Sequence, residues 1–154
     1  MILQDLKNKW VKENITCQTV ATPFEIEQFN KRNNVQMPHD LVTYFELING
    51  TNDEYDSDFF RFTSFDEFSP IDEVYKEWNG IPNFQNIVNT LNDYNNFYVI
   101  ADYQNHLFSY AIKLTSNVDN NIVLAVCGDK YKEISSSFSK FIEMVLSSSD
   151  SLQF

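Results

Sequence analysis

Apolar residues in the first half of the chain recur at helical spacing; in the second half they turn to runs and alternation. Leu3, Leu6 and Trp10, at i, i+3 and i+7, predict an opening helix over residues 2–12. Thr22-Pro23-Phe24-Glu25 predicts the start of a second helix. Threonine serves as N-cap, proline suits N1, and glutamate at N3 closes a capping box; Ile26 and Phe29 mark the buried stripe. Pro38 opens a third helix carrying Leu41, Phe45 and Ile48, and Asn49-Gly50 ends it, because glycine takes left-handed backbone without strain. An irregular acidic stretch, Thr51 to Asp58, leads into a predicted strand, Phe59 to Thr63. Ser69-Pro70 starts a helix with Ile71, Val74, Tyr75 and Trp78 on one face. Phe84, Ile87, Val88 and Leu91 repeat that spacing after Pro82.

Strand patterns follow. Phe97-Tyr98-Val99-Ile100-Ala101 is a short apolar run, and Phe108, Tyr110, Ile112 and Leu114 alternate with smaller or polar residues. Asp102 to His106 between them reads as a hairpin connection. Ile122 to Val126 reads as a central strand after a turn at Ser116–Asn121. Phe138, Phe141, Ile142 and Val145 define a closing helix that frays into Ser147-Ser148-Ser149. Helices before and after a block of consecutive strands predict an α+β fold with a central antiparallel sheet. At 154 residues and 43% hydrophobic, the chain fits one domain able to bury its own core.

These features, taken in order, resemble the SUKH superfamily, which includes the Smi/Knr cell-wall-synthesis regulators of yeast. The family pattern of Pro, helix, Phe and Asn-Gly matches at Met37, Pro38, Leu41, Phe45, Asn49 and Gly50. The closing motif matches at Ser137, Phe138, Phe141 and Ile142. The resemblance implies one SUKH-like domain, residues 1–154, with its core at about residues 20–146, the opening helix before it and a Ser-rich tail at 147–154. It implies helices flanking the sheet. In place of the family's usual glycine after the strand ending at Asp102 stand Gln104-Asn105-His106, where Asn105 can supply positive φ. Among bacterial members the resemblance implies an immunity protein that binds and neutralises a toxin domain, often a nuclease. In eukaryotic relatives it implies a regulatory or scaffolding role without a toxin.

Charge sharpens the partner class. Lys and Arg number 11 against 22 Asp and Glu, a formal net charge of −11. Such a field repels nucleic-acid backbones and anionic lipid and attracts a basic protein. With 3 glycines there is no Gly-rich loop to wrap a phosphate. The negative charge concentrates between Thr51 and Glu77, where Asp53, Glu54, Asp56, Asp58, Asp66, Glu67, Asp72, Glu73 and Glu77 face only Arg61 and Lys76. Aromatics interleave with them: Tyr55, Phe59, Phe60, Phe62, Phe65, Phe68, Tyr75 and Trp78. Carboxylates can steer a basic partner and aromatics such as Tyr55 can anchor it. An acidic patch could thereby occupy a nuclease's phosphate-binding surface by mimicry. The same stretch also reads as a solvated face with Phe60 and Phe62 in the core.

Catalytic and metal readings are poorer. Glu54-x-Asp56-x-Asp58 lacks the glycine and glutamate of a calcium loop, since Phe59 and Phe65 stand at those positions. The two histidines, His39 and His106, belong to no recognisable catalytic motif, and a Cys127–His106 dyad competes with a buried thiol and a turn histidine. The opening residues lack a signal-peptide h-region, and Cys17 and Cys127 lack metal-ligand spacing. A cytoplasmic protein with reduced thiols is expected, with no cofactor and no metal.

Overall fold

In the computed structural model, which describes residues 1–77 and 85–154, five strands pair in chain order into one antiparallel sheet. They are β1 (Phe60–Phe62), β2 (Phe97–Tyr103), β3 (Phe108–Lys113), β4 (Val123–Cys127) and β5 (Lys130–Ser135). The helices among the described residues are α1 (Ile2–Lys12), α2 (Pro23–Asn33), α3 (His39–Leu47), α4 (Ile71–Glu77), α5 (Gln85–Thr90) and α6 (Phe138–Leu146). The fold is α+β, as the order of patterns predicts. The side chain of Glu77, and the predicted helical positions Trp78, Pro82 and Phe84, lie outside the described residues.

Strand alternation assigns the sheet two buried faces. On one, Phe60, Phe62, Tyr98, Ile100, Tyr110 and Ile112 pack with Trp10, Phe29, Phe45, Phe138 and Phe141 from α1, α2, α3 and α6. Trp10 meets Phe62 edge-on with ring centroids 5.0 Å apart, and Phe141 meets Tyr110 at 5.1 Å. Such pairs add about 0.5–1.5 kcal/mol each beyond the area they bury. On the other face, Phe97, Val99, Ala111, Leu124 and Val126 pack beneath Ile71 and Tyr75 of α4 and Ile87 of α5. Burial on both sides explains why β2 and β4 read as continuous apolar runs. A bulge between Val99 and Ala101 turns Ile100 and Ala101 into the same core, so that the next residue, Asp102, shares the second face with its register partners Arg61 and Ser109.

The helix ends carry their predicted chemistry. Thr22 Oγ1 accepts from the Glu25 amide at 3.2 Å, and the Glu25 carboxylate accepts from the Thr22 amide at 2.7 Å, closing the capping box. After α3, Asn49 (φ 59°) and Gly50 (φ 86°) both take left-handed backbone. The buried Asn49 side chain donates to the Thr19 carbonyl and accepts from the Phe65 amide, while Thr51 bonds both backbone groups of Phe62. Asn49-Gly50 is therefore a joint tying α3 to β1, not only a helix stop.

Four expectations are corrected. β5 went unpredicted because the exposed Lys130 and Glu133 and the half-buried Lys132 hide the strand pattern; Gly128 (φ 59°) and Asp129 form the two-residue turn that pairs it with β4. β4 accordingly lies next to the edge, and β3 is the central strand. The Ser-rich tail is docked, not frayed: a 3₁₀ turn at Asp150–Leu152 buries Leu152, whose carbonyl accepts from Tyr110 Oη at 3.1 Å. β2 also extends through Tyr103, and its turn holds Gln104, Asn105 and His106 all at positive φ, so Asn105 does supply left-handed backbone.

At Gly50 an added Cβ would lie 2.9 Å from the Ser64 backbone nitrogen and 3.0 Å from its Cα. Gly50→Ala therefore both strains φ and forces β1 outward, and we expect a loss of about 1–3 kcal/mol. Urea denaturation checks this; an unchanged midpoint contradicts it.

Candidate functional site

The acidic stretch folds into a loop and edge beside β1, in which two cations are each shared by three carboxylates. The first is Lys9 of α1. Its Nζ lies 2.8 Å from Glu13, 3.0 Å from Asp56 and 3.2 Å from Asp58. Burial works against the ammonium charge, but these carboxylates outweigh it and raise the lysine pKa. Asp56 is the deeper partner. Its side chain is fully buried and accepts from Lys9 Nζ, from Trp10 Nε1 at 3.1 Å, and from the amides of Asp58 and Phe60 at 2.9 and 3.0 Å. The reading of Asp56 as a surface contact is thus corrected: it is a satisfied interior anion that pins the loop to α1.

The second cation is Arg61, on β1 between two core phenylalanines. It hydrogen-bonds Asp53, lies 3.1 Å from Glu67 Oε2, and approaches Asp102 Oδ2 at 3.9 Å. The guanidinium beside it holds the Asp53 carboxyl below its usual range. Glu67 moves the other way, because burial and the nearby charges of Asp53 and Asp66 outweigh Arg61. Asp102 is 1% exposed, accepts from Tyr55 Oη at 2.7 Å, and lies 3.1 Å from His106 Nδ1. Burial raises its pKa, against the pull of Tyr55, His106 and Arg61. Tyr55, expected as a partner anchor, is half-buried, and its hydroxyl is engaged inside the molecule.

The remaining positions differ in exposure. Glu54 and Asp66 are exposed, Asp66 accepting from Ser64 Oγ; Asp58 keeps 45% of its side chain in solvent. Asp72 and Glu73 occupy the first turn of α4, with Glu73 exposed and Asp72 half-buried. Of the described aromatics in the stretch, Phe60, Phe62, Phe68 and Tyr75 are buried, Tyr55 and Phe65 half-buried, and Phe59 alone is exposed. Sequence reasoning missed Asp102, Arg61, Lys9 and His106 as members of this arrangement. The available signal was opposite charges inside apolar strand runs, Arg61 between two phenylalanines and Asp102 after Ile100-Ala101.

The other chemistry-bearing residues are spread out. His39 is exposed at the start of α3, Cys127 ends β4, and the Ser109 hydroxyl is engaged with Tyr75 Oη. Among the described residues no group of three His, Cys, Asp or Glu side chains is placed to hold a metal ion. No described helix is long and apolar enough to cross a membrane.

A model of the SMI1 / KNR4 family (SUKH-1) matches residues 20–144. The chain belongs to this family. Its Asn49-Gly50 joint, its capped α2 and its closing α6 all fall within the match or at its end. No curated protein matches the chain. Within this SUKH domain the Arg61 network and most of the acidic edge lie inside the matched region, whereas Lys9 precedes it.

Two predictions separate anchoring from exposed carboxylates. Asp56→Ala strands Trp10 Nε1, the buried Phe60 amide and the part-buried Asp58 amide and should cost about 3–5 kcal/mol, against less than about 0.5 for Glu54→Ala, measured by chemical denaturation. Equal effects would contradict the assignment. For Asp102 the folded pKa lies above its unfolded value, so the native state holds that proton more tightly. Its stability contribution therefore improves as pH falls through the folded pKa toward 3.8. The stability of the wild-type chain relative to Asp102→Asn should accordingly rise between pH 7 and mildly acidic pH; a constant difference would contradict it.

Proposed function

We propose that this SUKH domain acts by binding, without chemistry of its own, as a bacterial immunity protein that covers the basic active surface of a toxin. A nuclease is the toxin class whose need to hold phosphate demands such a surface. The observation that carries the reading is the charge left over after the chain's internal pairing. Lys9 and Arg61 each serve three carboxylates, and Glu54, Asp66 and Glu73 stand exposed along the same stretch, so the edge stays strongly anionic. Lys9 and Arg61 also hold the carboxylates in place, which lowers the entropy a partner must remove on binding. A basic surface approaching this edge gains long-range attraction before contact. On this reading the protein acts in the cytoplasm, where the toxin would do its damage.

The test is rescue of growth by co-expression with the product of an adjoining toxin gene. Full protection is expected from the wild-type chain. The double variant Glu54→Lys and Glu73→Lys, which leaves the buried anchors intact, should slow association at least about tenfold at low salt. If the adjoining product is not toxic, or protection and association are indifferent to the double variant, the proposal fails.

A further inference from the structure

The acidic edge contains a groove of about 240 Å³ between the turn at Ser57–Phe60 and the docked C-terminal segment at 148–153. That volume is below the roughly 300–1,000 Å³ of small-molecule sites and suits a single long side chain. Its floor is apolar, made by Phe60, Tyr110 and Leu152, all buried. Its rim carries two carboxylates from opposite sides, the exposed Asp150 and the partly exposed Asp58. Asp58 shares Lys9 with Glu13 and Asp56, so little of that cation's charge is left to neutralise the rim.

Phe59 stands at the mouth. It holds φ 70°, a conformation unfavourable for a bulky residue, and is 53% exposed, so it carries both backbone strain and uncovered aromatic surface. Its ring meets Tyr103 edge-on at 6.5 Å, and both line the groove. Asparagine or glycine would form the same turn more easily.

We propose that this groove takes one arginine side chain of the basic partner, its stem on the apolar floor and its guanidinium against the Phe59 ring between Asp58 and Asp150. Arginine fits better than lysine because its planar, weakly hydrated cation stacks on aromatic faces while still pairing with carboxylates. The inference rests on the reading of a basic protein partner and adds to it a defined anchor.

The test uses the full chain and two probes, the blocked tripeptide Gly-Arg-Gly and its citrulline counterpart, titrated by amide NMR. The arginine probe should shift residues 57–60, 103 and 148–153, with the citrulline probe at least about tenfold weaker, since it keeps the shape and loses the charge. Phe59→Asn, which keeps the turn, and Asp150→Asn should each weaken the arginine response about fivefold or more with unchanged thermal stability or, for Phe59→Asn, higher stability. Equal responses to both probes, shifts elsewhere only, or no response overturns the groove assignment. The wider reading is separable: toxin binding that survives Phe59→Asn but is lost on charge reversal at Glu54 and Glu73 sinks the groove alone. An intact arginine response beside a non-toxic neighbour leaves the groove standing and sinks the immunity reading.

Discussion

The buried carboxylate of Asp56 is the contact on which the rest of the acidic edge depends. An anion in the interior is tolerated only when its lone pairs are satisfied and a cation lies close. Here a lysine, an indole N–H and two backbone amides converge on it. Those four donors come from α1, from the loop and from the first residue of β1. The same interaction therefore seats the opening helix on the core, sets the turn that displays Phe59, and delivers Asp58 to the surface. Trp10 and Phe62, packed edge-on beside it, supply the apolar surroundings that make the charge interaction strong.

Arg61 and Asp102 do for the sheet side what Lys9 and Asp56 do for the helix side. They are register partners on adjacent strands and face away from the main core, where a bulge in β2 turns Asp102. Tyr55 then ties the loop to Asp102, so that two consecutive residues, Tyr55 and Asp56, fasten the acidic loop to β2 and to α1. Negative charges held this closely repel one another. Sharing two cations among six carboxylates keeps that repulsion tolerable while leaving a net field for a partner to meet. Fastening also means that the loop need not be ordered on binding, the step that most often weakens loop-mediated recognition.

Much of the fold could be read from the sequence because local chemistry and global packing agree. Thr22-Pro23-Phe24-Glu25 gives a capping box, and Phe108 to Leu114 alternates as the strand does. Where reading failed, long-range contacts had overridden local cues. β5 looks polar because it is an edge strand with one solvated face. The serines after α6 look like a fraying end, yet Leu152 finds a place on Tyr110. The site was legible in composition and not in geometry. Nine carboxylates within residues 51–77 announce an acidic region, but nothing local tells that Asp56 points inward, since its partners Lys9 and Trp10 lie more than forty residues away.

The proposed mode of action, electrostatically guided coverage of a basic protein, makes association sensitive to salt. The rate constant for association with the proposed toxin partner, measured by stopped flow as sodium chloride is raised from about 0.02 to 0.5 M, is the decisive quantity. Over that range the screening length falls from about 20 Å to about 4 Å. The association rate should fall by about two orders of magnitude with little change in dissociation. A rate that stays flat across the same salt series would contradict it.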